Sequence, residues 1–297
     1  MGNGLQSGCF RACAAAVVAV AGCTEPWFAA WGLAGPAPSP PPADARSTDA
    51  PPFLAVYDVD PLSASRESAV IQIAFDIVRV ELPFHDVRHS AKVWNHVDEP
   101  ISDPALAARL ARNGMRVGVA DEAAWPAMRA VFEANHARMD RISAPAPGGA
   151  AIGLAVGTLQ PGETVFAYGA GGRLSGAGFP GGSKLVRIDY AVSRDDPDAV
   201  VLRVMPEIQV EADGPTSPSP VDLLRTPGAG DDRTLYHDLA AELVVRPGQL
   251  VVIGPSEAAA IPSLIGSRLF TRHVKGAAYE TVLCITPKLT WVGYEGP

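Results

Sequence analysis

The sequence predicts an α+β fold: a small N-terminal α/β module followed by a mainly antiparallel β domain. Three observations lead there. A chain of 297 residues with 47% hydrophobic and 19% charged residues has material for a sizeable core, and its length suggests about two domains. Residues 53 to 147 alternate strand-like with helix-like segments. From residue 148 onward, segments dense in β-branched residues follow one another between Gly, Pro and Asp breaks, the pattern of an antiparallel meander or sandwich. With 24 Lys+Arg against 32 Asp+Glu the formal net charge is -8, which argues against nucleic acid as a partner, since phosphate neutralisation needs a cationic surface.

The first 22 residues read as a signal peptide. Arg11 is the only charge in "MGNGLQSGCFRACAAAVVAVAGC", and an apolar stretch from Ala12 to Ala21 precedes small residues and Cys23. The stretch is too short to cross a bilayer, which takes about 20 apolar residues. Val20-Ala21-Gly22-Cys23 resembles the bacterial lipobox. That resemblance implies an acylated Cys23 as the first residue of the mature protein, with Thr24 in the next position compatible with sorting to the outer membrane.

Residues 23 to 52 then form the lipid-anchor segment and a linker. Trp27, Phe28 and Trp31 lie close to Cys23, where amphipathic rings suit the headgroup level of a membrane. "GPAPSPPPADARSTDAPP", residues 35 to 52, is a Pro-rich, semi-rigid spacer. Of the four cysteines, Cys9 and Cys13 leave with the leader and Cys23 carries lipid, so Cys284 alone remains a thiol. In the apolar run "AYETVLCITPKL", residues 277 to 288, it reads as a small buried hydrophobe and not a nucleophile.

In the module, "SAVIQIAFDIVRVELP" predicts a strand over residues 69 to 82 that closes at Pro83. "HDVRHSAKVWNHVDE" has helical periodicity. "SDPALAARLARNG" carries the clearest helix signals: Ser102 or Asp103 as cap, Pro104 in the first turn and Gly114 as left-handed stop. "MRVGVA" is a short strand, and "DEAAWPAMRAVFEANHARM" a last helix, with Asp121 as candidate cap.

Two motifs need weighing. His85-Asp86-x-x-His89 is one acid away from the H-E-x-x-H helix of zinc proteases, and His96 falls on the same helical face. His89 and His96 are separated by about 10 Å along a helix axis, too far to share a metal with ligands at about 2 Å. Val87, Ala91 and Trp94 mark the opposite face, so the histidines are expected in solvent and no metal is assigned. "GAGFPG", residues 176 to 181, matches G-x-G-x-x-G, but a strand-like "SKLVRIDYAV" follows where a phosphate site needs a helix. Ser183 also precedes Lys184, against the order of a phosphate loop. The stretch is expected to be a hairpin connection, and no cofactor is assigned.

The second half reads as "GETVFAYG", "SKLVRIDYAVS", "AVVLRVMPEIQVEA", "RTLYHDLAAELVV", "GQLVVIG" and "YETVLCITP", with a helical turn or bend in "IPSLIGSRLF". Four patches in order, over residues 198 to 290, resemble the C-terminal domain of the secretins, the ring-forming outer-membrane channels of type II and type III secretion. "VVLRVMPEI" places Pro206 and Glu207 in the family's Pro-Glu step. "RTLYHDLAAELVVRPGQLVVIG" places Arg233, Gly248, Gln249 and Gly254, though Pro255 stands where the family has a second Gly. "IPSLIGSRLF" supplies Pro262 and Gly266 with two extra residues. "ETVLCITPKL" supplies Glu280, Thr286 and Pro287.

The physical roles expected of these residues are structural. Gly248 permits a tight hairpin, Pro262 and Gly266 a sharp turn, and Pro287 ends ladder pairing. The resemblance implies a lipid-anchored, non-enzymatic envelope protein facing the periplasm, with membrane, homo-oligomeric or secretion-system contacts. An alternative is an accessory lipoprotein that forms no channel. The rival from another class is an envelope hydrolase or binding protein using the histidines or Asp231, Asp232 and Asp238, which requires a pocket gathering them.

Overall fold

The apolar stripes of "VIQIAFDIVRVELP" and "AAYETVLCITPKLTWV" find each other across the whole chain. Strands β1 (Val70–Pro83) and β14 (Ala277–Val292) pair antiparallel from Val70↔Val292 to Pro83↔Tyr279. The computed structural model describes residues 70–84, 91–101, 103–146, 151–210, 224–225, 232–258 and 261–292. The signal peptide, Cys23, the linker, His85, His89, Ser102 and Asp231 lie outside the described residues.

The remaining elements are α1 (Ala91–Trp94), α2 (Pro104–Arg112), β2 (Met115–Asp121), α3 (Trp125–Ala134), β3 (Arg138–Pro145), β4 (Ile152–Leu159), β5 (Thr164–Tyr168), β6 (Leu174–Gly178), β7 (Gly182–Val192), β8 (Val200–Gln209), β9 (Leu224–Arg225), β10 (Arg233–Leu235), β11 (Ala241–Val245), β12 (Gln249–Pro255), α4 (Ile265–Phe270) and β13 (Thr271–Val274). One sheet has the order β2-β12-β14-β1-β3, with β13 on β14; a second has the order β10-β8-β7-β4-β9, with β11 on β8; β5 and β6 form a separate ribbon. All strand pairs among the described residues are antiparallel, so the chain is α+β and rich in strand.

Period-two patterning sets the layers. Phe75 and Ile77 of β1, Val251 and Ile253 of β12, and Leu283 and Ile285 of β14 share one core with Leu154, Val186, Val204 and Leu243 of the second sheet. This is the inside of a two-sheet sandwich. The intervening residues of the first sheet, Val80, Leu82, Val252, Val282 and Cys284, pack instead with Val93 and Trp94 of α1 and Met128 and Phe132 of α3. The first sheet is thus a middle layer.

The boundary expected at residue 147 divides the sequence but not the sheets: β1, β2 and β3 lie in one sheet with β12 and β14, within one compact unit of residues 51–297. Sequence-distant pairing accomplishes what local reading could not foresee.

Local signals held best at α2. Asp103 Oδ1 accepts the Ala105 N–H at 2.9 Å, Pro104 begins the first turn, and Gly114 follows with φ 86, the left-handed stop. Other expectations changed. Of the stretch expected to be helical around the histidines, residues 85–90 lie outside the described residues, and Ala91–Trp94 forms a helical turn with Val93 and Trp94 buried but Ala91 exposed. The last helix of the module ends at Ala134 and "RMDRISAP" becomes strand β3. "RTLYHDLAAELVV" breaks into β10, a 3-10 turn at His237–Leu239 and β11. "GAGFPG" gives its first three residues to β6.

Two motif turns also differ from expectation. Gly248, with φ 79, does make a tight turn, but β11 pairs in the second sheet and β12 in the first. It carries the chain between sheets and closes no hairpin. Pro287 does not end β14. The ladder to β12 reaches Ile285, whereas the ladder to β1 continues through Pro287↔Phe75 to Val292. The hairpin is elsewhere, between β13 and β14, where Lys275 and Gly276 have φ 49 and 84, as a two-residue turn of matching twist requires.

Candidate functional site

The residues named by sequence resemblance are distributed through the scaffold. Pro206 and Glu207 lie in β8, Arg233 opens β10 opposite Gln209, Gly248 and Gln249 enter β12, and Gly254 lies within it. Pro262 and Gly266 flank the start of α4; Glu280, Thr286 and Pro287 belong to β14. A Cβ on Gly266 would come to 2.5 Å from the Asn113 carbonyl oxygen and 2.6 Å from the Gly114 backbone carbon. One on Gly254 would meet Trp94 at 3.2 Å and Val282 at 3.3 Å. These glycines serve close packing.

Glu207 is fully buried. Neither carboxylate oxygen has a hydrogen-bond partner, and the nearest charge is Arg187 Nη1 at 3.8 Å from Oε2. Arg187 itself donates through Nε to Asp189 Oδ1 at 2.9 Å. Burial pushes the Glu207 pKa up, against the pull of Arg187.

The most developed polar site is elsewhere, where the first sheet emerges from beneath the start of α3. Asp76 of β1 faces Ser143 of β3 and Thr286 of β14 in register. Its Oδ1 accepts from the Ser143 hydroxyl. Its Oδ2 accepts from Lys288 Nζ and, at 3.0 Å, from Arg141 Nη2. The Lys288 and Ser143 hydrogen bonds, opposed by burial and aided by Arg141, hold the Asp76 pKa down at about 2.

These groups border a groove of about 390 Å³ whose apolar surface comes from Val78, Met139, Leu250 and Cys284, with Trp125 beside it. Arg129, which is paired with Glu133 at 2.8 Å, and Glu122 stand on the helix side. Cys284 is buried and its thiol is pushed up to about 12 by burial. It contributes packing, and the strand environment expected of it is correct.

Sequence reading singled out none of Asp76, Arg141 or Lys288 as a site residue. They come from three strands and meet only through the ladders. A signal did exist: Asp76 is a carboxylate set between Phe75 and Ile77 in a mainly apolar strand.

A second charged network stitches the other end of the sandwich. Lys184 of β7 is 6% exposed and donates through Nζ to the Arg268 carbonyl at 2.6 Å. Arg268 pairs with Glu163 at 2.9 Å, and Arg272 with Glu81 at 3.0 Å. Burial lowers the Lys184 pKa to about 8, with Glu163 opposing. The connection to backbone makes this a structural clasp.

Of the residues of the hydrolase alternative, His85, His89 and Asp231 lie outside the described residues. His96 is exposed beyond the turn of α1. Asp238 Oδ2 accepts the Ala170 N–H at 2.9 Å, while the Asp232 carbonyl accepts the Val210 N–H at 2.7 Å. Among the described residues, no group of three or more His, Cys, Asp or Glu is placed to hold a metal.

No family model matches the chain, and no curated protein matches it. Among solved structures, it has a weak neighbour in the InvG secretin domain beta-barrel from the Salmonella SPI-1 injectisome NC-base, at 10% identity and a TM-score of 0.17. The match covers 76% of this chain and 63% of that one, so less than two thirds of the neighbour is spanned. A score that low establishes neither fold nor function.

Proposed function

We propose that this chain is a lipid-anchored cell-envelope protein, non-enzymatic, whose β-rich unit serves protein secretion or envelope assembly through contacts with copies of itself or with secretion-system proteins. The observation that carries the reading is Val20-Ala21-Gly22-Cys23 followed by the Pro-rich spacer to residue 52. The four ordered patches in residues 198 to 290 supply its link to the secretins. On this reading the protein is an outer-membrane lipoprotein facing the periplasm. In the four patches Gly248 makes a tight turn and Gly254 and Gly266 sit in close contacts, which suits a scaffold. Electron microscopy of the detergent-extracted full chain tests the assembly: rings support a channel component, and monomers in every condition remove that part.

One observation favours the narrower reading of an accessory lipoprotein that forms no channel. A membrane strand needs about 9 to 11 residues and one face for lipid. The strands β1 and β14 are long enough, at 14 and 16 residues, but their central residues, Phe75 to Leu82 and Val282 to Ile285, pack against the second sheet on one face and α1 and α3 on the other. No helix among the described residues is long and apolar enough to cross a membrane, which says nothing about spanning by strands.

A further inference from the structure

We draw no further inference here: the strongest candidate, the cleft between α2 and the turn from β5 to β6, carries nothing, because Arg109 and Arg112 on its wall are cations of a helix's last turn that complement the carbonyl end, and nothing in the structure shows what covers it.

Discussion

Lys184 stands directly opposite Gly157 in the ladder between β4 and β7, and a Cβ on Gly157 would approach the lysine Cε to 2.9 Å. The glycine makes room for a buried ammonium that is tied to the Arg268 carbonyl. A lysine in that position cannot swing aside without giving up its hydrogen bond. Gly157→Ala is therefore expected to destabilise the fold by about 1–3 kcal/mol, the range for overpacking a filled site. Chemical denaturation of the two proteins side by side checks it.

Lys184 also predicts a pH dependence. Its folded pKa of about 8 lies below the ordinary 10.5, so between those values the unfolded chain binds more protons and stability rises with pH. Below about pH 8 the full cost of burying the charge remains. Lys184→Met should abolish the rise between pH 8 and 10, provided that thermal melts are followed across that range. A variant melting curve with the same alkaline rise would assign it to another group.

Asp76 works in the other direction. With a folded pKa of about 2 against 3.8, its contribution is complete above about pH 4 and is lost as pH falls toward 2. Asp76→Asn should lower stability at pH 7 by about 2 kcal/mol and flatten the acid limb of the stability profile. Urea titrations at pH 3 and pH 7 measure both.

Glu207 is the motif acid that is fully buried with no hydrogen-bond partner for its carboxylate. Its raised pKa means that the folded state holds a proton more tightly than the unfolded one, so stability falls as pH rises through the carboxylate range above 4.5. Glu207→Gln should stabilise the protein at pH 7 by about 1–2 kcal/mol, since Arg187 keeps its bond to Asp189. A lower melting temperature for the variant would show that the carboxylate serves the fold in some other way.

Gly266 gives the sharpest packing test among the motif residues. Its N–H donates to the Asn113 carbonyl at 2.9 Å, and Asn113 in turn exchanges two hydrogen bonds with the Tyr168 backbone, at 2.8 and 3.0 Å. The Asn113–Gly114 backbone and the Met115 side chain, at 2.5 to 2.6 Å from where a Cβ would stand, leave no room for a methyl group. Gly266→Ala is expected to cost about 3 kcal/mol or more, read as a fall in the denaturation midpoint.

How much of this was legible depends on whether a residue's partner is near in sequence. The α2 helix could be read because Asp103, Pro104 and Gly114 act within their own turn. The long apolar strands β1, β8 and β14 could be read because burial on both faces leaves a continuous apolar run. Strand β3 could not: Arg138, Asp140 and Arg141 give an edge strand the polarity of a solvent-facing helix, and only pairing with β1 reveals it. The Asp76, Arg141 and Lys288 side chains meet through ladders that join strands far apart in the sequence. No spacing rule anticipates such a meeting, although a carboxylate inside an apolar strand hints that a cation will come to it.

The anchor at Cys23 is the central claim, and mass spectrometry of the mature N-terminus tests it most directly. The account predicts a chain that begins at Cys23 and carries acyl groups, and a Cys23→Ala variant that leaves the membrane fraction. An N-terminus at any other residue, or an unmodified Cys23 in protein recovered from membranes, would contradict it.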